Sequence, residues 1–150
     1  MEPRVTVDEL NAFLAREYPE LNGPPVAGLP PVYAVHEVGP DFATVRLEAG
    51  PNHIRPGGTV SGPTLMTVVD IACWLAILAQ IGTVALTVTT HLSIDFVRKP
   101  APGPLHARAK VIKLGSRLAV TTCEITAPEG GPVFAHASAT YSIPPASQRV

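Results

Sequence analysis

At 150 residues the chain is long enough to bury a proper core and too short for two. Its 11 Lys and Arg against 12 Asp and Glu leave a net charge of -1, with no basic field for a nucleic-acid backbone. Charged residues make up 15% of the chain, against about 25% in an average soluble domain, so another subunit should cover part of the surface.

Thr6-Val7-Asp8-Glu9 reads as a capping box, with Val5 and Leu10 as a hydrophobic staple. It predicts a short helix to about Tyr18 that buries Leu10, Phe13 and Leu14. The Pro/Gly segment from Pro19 to Pro31 reads as an ordered surface arm. Val32–Val38 and Phe42–Glu48 read as short strands around Gly39-Pro40, the second alternating Ala43, Val45 and Leu47 with Thr44, Arg46 and Glu48. A loop follows from Pro51 to Val60.

Proline then disappears for 36 residues, Thr64 to Lys99, and again for 23, Leu105 to Ala127. The long regular elements should lie there, because proline removes a backbone donor and breaks helices and ladders. From Thr64 to Ala79 the residues are apolar nearly all round, interrupted by Asp70. Sixteen residues fall short of a membrane span, and a mid-helix Asp costs about 2.5–3.5 kcal/mol in lipid. The segment is therefore expected to be a helix surrounded by protein.

Beyond it the period is two. Val84, Leu86, Val88, Leu92, Ile94 and Phe96 share one parity, and Thr87, Thr89, His91, Ser93 and Asp95 the other. Leu105 to Val111 and Val133 to Ile143 alternate in the same way. Leu118 to Ile125 is strand-like, with a parity slip at Thr121-Thr122 that predicts a bulge. Gly115-Ser116 and Glu129-Gly130-Gly131 read as hairpin turns. The order is helix, two strands, buried helix, four antiparallel strands. That is an α+β chain whose sheet is expected to curl around the buried helix.

Cys73 and Cys123 stand fifty residues apart and in no CxxC pair, so neither a disulfide framework nor a zinc site is expected. His36, His53, His91, His106 and His136 show no ligand spacing, and no metal is predicted. The charged N-terminus lacks the apolar core of a signal peptide, which makes a reducing cytoplasm the default.

Ser61-Gly62-Pro63 through Asp70, followed by Ser93-Ile94-Asp95-Phe96-Val97-Arg98-Lys99-Pro100, resembles the PaaI-like acyl-CoA thioesterases of the hotdog fold. The resemblance spans roughly residues 32–143. Residues 1–31 are then an N-terminal helix and arm, and 144–150 a tail. The family pattern is His-Gly-Gly with an acid nine residues after the histidine. Asp70 stands nine after Ser61, while Ser61 replaces the histidine and Pro63 the second glycine. Arg55 occupies the upstream position of an Asn or Gln. The resemblance implies hydrolysis of an acyl-CoA, with coenzyme A entering only as part of the substrate. It also implies a homodimer that pairs into a homotetramer, while the charge balance and the sixteen-residue helix argue against nucleic acid and membrane as partners.

Elementary chemistry supplies a role for each residue, and an alternative to it. Asp70 is the lone charge of an apolar helix, so it needs either a watered substrate site or fixed hydrogen-bond partners. Ser61 can cap that helix, and the Gly62 N–H can then hold a thioester oxyanion or simply begin a helix. Eight residues of helix separate Gly62 from Asp70 by about 12 Å, so one carbonyl can meet both only across two subunits. Arg55 is a carbonyl donor or a solvated loop charge. Thr89, on the side of His91, stands where the resemblance implies a hydroxyl that orients water, or is a plain polar-face residue. Trp74 lines an acyl pocket or fills the core. Arg98, Lys99 and the Gly115-Ser116-Arg117 turn resemble the family's basic edge for coenzyme A phosphates, or are solvated strand ends. His91 and His53 are expected to be hydrogen-bonded or surface residues. The rival functions are a non-catalytic acyl-ligand binder and a hotdog hydratase, though a hydratase usually wants a helical His that is missing here.

Overall fold

The computed structural model describes residues 2–149, so the predicted outer bounds at 1 and 150 lie outside the described residues. Helix α1 (Val7–Glu17) starts at the predicted capping box. The Thr6 hydroxyl accepts from the Glu9 N–H at 3.2 Å, and the Glu9 carboxylate accepts from the Thr6 N–H at 3.2 Å. Two short strands follow, β1 (Tyr33–Gly39) and β2 (Phe42–Glu48), then helix α2 (Gly62–Ile81). The chain continues as β3 (Val88–Phe96), β4 (Pro104–Leu114), β5 (Leu118–Ala127) and β6 (Gly130–Ser142). All six strands join one antiparallel sheet in the order β1-β2-β4-β5-β6-β3.

The sheet holds α2 close because its floor is made of small side chains. One register row runs Ile94, Ala137, Cys123, Ala109 and Ala43 across five strands, and the next runs Leu92, Ala139 and Thr121. Methyl-sized residues let a helix sink onto a pleated surface, and 13 of the 20 residues of α2 are buried as a result. Cys73 on the helix meets Cys123 on β5 in this layer. Hydrogen bonding to the Cys73 thiol, together with burial, pushes the Cys123 thiol well above its ordinary range.

Helix α2 is four residues longer than the predicted Thr64–Ala79. Pro63 fits at its second position, where no N–H is needed, and Gln80 is tolerated near its end because its Nε2 donates to the Gly39 carbonyl at 3.1 Å. At 20 residues the helix would be long and apolar enough to cross a membrane, so the length argument fails. Its burial against the sheet is what occupies its apolar surface.

The bulge assignment also changes. Thr121 is buried in strict alternation with Ala119, Cys123 and Ile125 because its hydroxyl donates to the Ala139 carbonyl at 2.8 Å, so no slip occurs there. The register shifts fall instead between Val35 and Glu37, between Thr89 and His91, between Val111 and Lys113, and between Ile125 and Ala127. Strand β3 begins at Val88 rather than Val84, since Val84 and Thr87 are tied into turns after Gly82.

The sheet has two edges, which the chain treats differently. On β1, the Asn22 side chain accepts from the Tyr33 N–H and donates to its carbonyl, at 2.8 and 2.9 Å. Asn11 does the same for Val35, at 2.9 and 3.1 Å. On β3 only Leu92 and Ile94 are half-buried, and every other residue is exposed.

Candidate active site

Asp70 sits midway along α2, half-buried, on the helix face that also carries Pro63, Met66 and Trp74. That face borders a cleft of about 690 Å³ closed by Thr89 and Leu92 of β3 and by Tyr18 after α1. The Asp70 Oδ1 accepts two hydrogen bonds, from the Thr89 hydroxyl at 2.7 Å and from the Tyr141 hydroxyl at 2.6 Å. Oδ2 has no partner among the described residues, yet it is not among the polar atoms sealed from solvent, so it is open to the cleft.

The shift at Thr90 explains how Thr89 reaches the carboxylate. Thr89 pairs with Tyr141, and His91 with Thr140, so the extra residue turns Thr89 to the helix side and leaves His91 on the other. The expectation that Thr89 and His91 share a side is therefore corrected. Tyr141 comes from β6 and is 1% exposed. Burial first, and then its neighbours Cys73 and Asp70, hold its hydroxyl far above the ordinary tyrosine range, so it stays protonated and donates. Reading the sequence missed it, because Tyr141 follows Ala135, Ala137 and Ala139 on the apolar parity. The available signal was a phenol in an apolar row, which needs a partner when buried.

Trp74 lies one turn beyond Asp70 and lines the cleft. Its ring meets Phe13 at 5.5 Å and Tyr18 at 6.5 Å between centroids, so the N-terminal helix builds the far wall.

The remaining predicted residues gather elsewhere. Ser61 caps α2, its hydroxyl accepting from the Thr64 N–H at 3.3 Å. The Leu65 N–H bonds to the Ser61 carbonyl, and Pro63 has no N–H. Gly62 is left as the first-turn residue whose N–H has no partner among the described residues. A Cβ at Gly62 would stand 3.6 Å from the Phe96 ring, which places this glycine at the end of β3. Arg55 is exposed on a tight turn closed by bonds to Thr59 and Gly58. The Val60 N–H donates to the Pro100 carbonyl, which ties this loop to Arg98 and Lys99. The exposed Arg98 donates to the Val133 carbonyl at 3.0 Å.

Arg117 and Gly115 lie at the opposite end of β3. Arg117 Nε donates to the Ile143 carbonyl at 2.8 Å, and the adjoining Leu118 faces Ser142, which in turn faces Val88. One chain thus holds two separate groups, at opposite ends of β3, with Gly62 and Asp70 about 12 Å apart along α2. Asp70, Thr89, Tyr141, Gly115 and Arg117 are at the Val88 end; Ser61, Gly62, Arg55, Arg98 and Lys99 are at the Phe96 end.

A curled antiparallel sheet wrapped around one central helix defines the hotdog fold. The profile of the thioesterase superfamily matches residues 57–134. A candidate thioesterase from Silicibacter sp. TM1040 has a solved structure that is 36% identical, with a TM-score of 0.83 over 97% of this chain and 96% of that one. The chain belongs to the thioesterase superfamily, which supports thioester hydrolysis as its general chemistry. The phenylacetic acid degradation protein PaaI from Thermus thermophilus, solved as a mutant, is 26% identical, with a TM-score of 0.65 over 73% of this chain and 91% of that one. Zebrafish thioesterase superfamily member 2 shares the fold at 19% identity, with a TM-score of 0.76 over 93% and 99%. No relative was found among curated proteins by sequence.

Proposed function

We propose that the protein hydrolyses an acyl-CoA thioester to the free acid and coenzyme A, at a site shared by two subunits. The observation that carries this reading is the Asp70 carboxylate, with one oxygen held by two hydroxyls and the other open to a 690 Å³ cleft. As a general base, Asp70 takes a proton from water while the water oxygen attacks the carbonyl carbon. As a nucleophile, its oxygen attacks the carbon directly and the resulting anhydride is hydrolysed. Either way the carbonyl oxygen becomes an oxyanion, the C–S bond breaks, and the departing thiolate takes up a proton.

The oxyanion needs a donor that Asp70's own half of the chain lacks. Antiparallel pairing of two β3 edges would exchange their ends, bringing Gly62 and Arg55 of the partner subunit towards Asp70 and Thr89. The same operation brings Arg98 and Lys99 of the partner subunit towards Gly115 and Arg117, as a basic rim for phosphates. Among the described residues the outer edge of β3 pairs with no other strand, which supports this assembly, as do its exposed apolar residues. Val88 and Phe96 of β3, and Leu86 and Val97 just beyond its ends, are each at least 50% exposed, too much for an edge meant to face water. Two such dimers would form the tetramer. The free thiols of Cys73 and Cys123 suit a reducing cytoplasm.

Light scattering at micromolar concentration should therefore report a dimer or a tetramer, and a monodisperse monomer would remove the shared site. The reaction itself is tested by release of free thiol from a panel of short, medium, long and aryl acyl-CoAs. At least one should turn over; tight binding throughout, with no thiol released, would make the protein an acyl-CoA binder instead.

A further inference from the structure

We propose that Tyr141 is a positioning residue for this reaction: its hydroxyl clamps Oδ1 of Asp70, so that Oδ2 is the oxygen that reacts. The inference rests on the reading of Asp70 as the reacting group. An unrestrained Asp carboxylate rotates about its last torsion and presents either oxygen. Here both donors converge on the same oxygen, and they differ in what holds them. Thr89 is exposed on an edge strand, beside the register shift, so its grip depends on a locally irregular backbone. Tyr141 is sealed on β6, an interior strand bonded to both β5 and β3. Its hydroxyl also lies 2.9 Å from the backbone carbonyl oxygen of Asp70, so the one proton is shared between two acceptors of a single residue. That arrangement fixes the carboxylate relative to its own helix as well as to the sheet. Oδ1 has its lone pairs engaged, and the remaining acceptor capacity points into the cleft on Oδ2.

Tyr141→Phe keeps the ring in its slot and removes only the oxygen. The carboxylate regains its rotation, and kcat should fall about tenfold with KM changed less than about twofold. A packing role would instead lower the melting temperature and leave kcat in place, and that result overturns the proposal. Infrared spectra of protein with carbon-13-labelled aspartate, differenced against Asp70→Asn to isolate the Asp70 carboxylate, give a second readout without substrate: its stretching bands should shift in Tyr141→Phe, and unshifted bands overturn the proposal. Asp70→Asn run beside it keeps the two readings apart. If Asp70→Asn still turns over, the hydrolytic role of Asp70 fails, and the infrared bands continue to test the clamp alone.

Discussion

Asp70→Asn is expected to lower kcat by about 10²-fold or more while the melting temperature holds or rises. The amide oxygen can still accept from the hydroxyls of Thr89 and Tyr141, so both bonds of 2.7 and 2.6 Å survive the change. What disappears is the negative charge on the atom open to the cleft. An amide neither takes a proton from water at neutral pH nor attacks a thioester. The fold loses nothing it needs, and it no longer has to keep a carboxylate ionised on an apolar helix. Steady-state hydrolysis of the best acyl-CoA, with a thermal melt of each protein, measures both sides. Full turnover with a lowered melting temperature would make Asp70 a structural residue.

The second large effect is a recovery. Gly62→Val should inactivate by filling the approach to the Gly62 N–H, and the chain can accommodate it. The new Cβ meets the Phe96 ring at 3.6 Å, an ordinary contact, and the glycine is not in the left-handed region. Gly62→Val and Asp70→Asn, each alone, spoil both sites of their dimers. Refolded together in equal amounts, about half of the dimers are mixed. Each mixed dimer carries both lesions in one site and none in the other, so activity should return to about a quarter of wild type. If Gly62 and Asp70 of the same chain formed the site, every site would carry a lesion. Mixed dimers identified by mass spectrometry without activity would therefore place the oxyanion donor elsewhere.

Much of the architecture was legible because proline and periodicity report on backbone geometry. The proline-free stretches became α2, β3 and the β4–β5 hairpin, and the all-round apolar pattern located the central helix. Asp70 was legible for the opposite reason, as the one residue that contradicts its surroundings. The environment of that carboxylate was harder to see. A register shift leaves no compositional mark, so simple alternation puts Thr89 on the side of His91 and a bulge at Thr121-Thr122, whereas the shifts lie elsewhere. Tyr141 was hidden by its own apolar body, since only the tip of a tyrosine departs from the pattern around it. The division of the chain into two distant groups of polar residues depends on strand order, and β3 returns beside β6 rather than beside its neighbours in sequence.

The side chains of Asn11 and Asn22 bear on how far assembly can go. Each offers a donor and an acceptor with the spacing of a peptide group, so each occupies a place that another strand would take along β1. A sheet with two reactive margins can add copies at both and lengthen into a ribbon without limit. With one margin terminated by its own amides, the proposed addition through β3 would use up the remaining strand edge of both chains at the first encounter, and any pairing of two dimers would then have to join faces rather than edges.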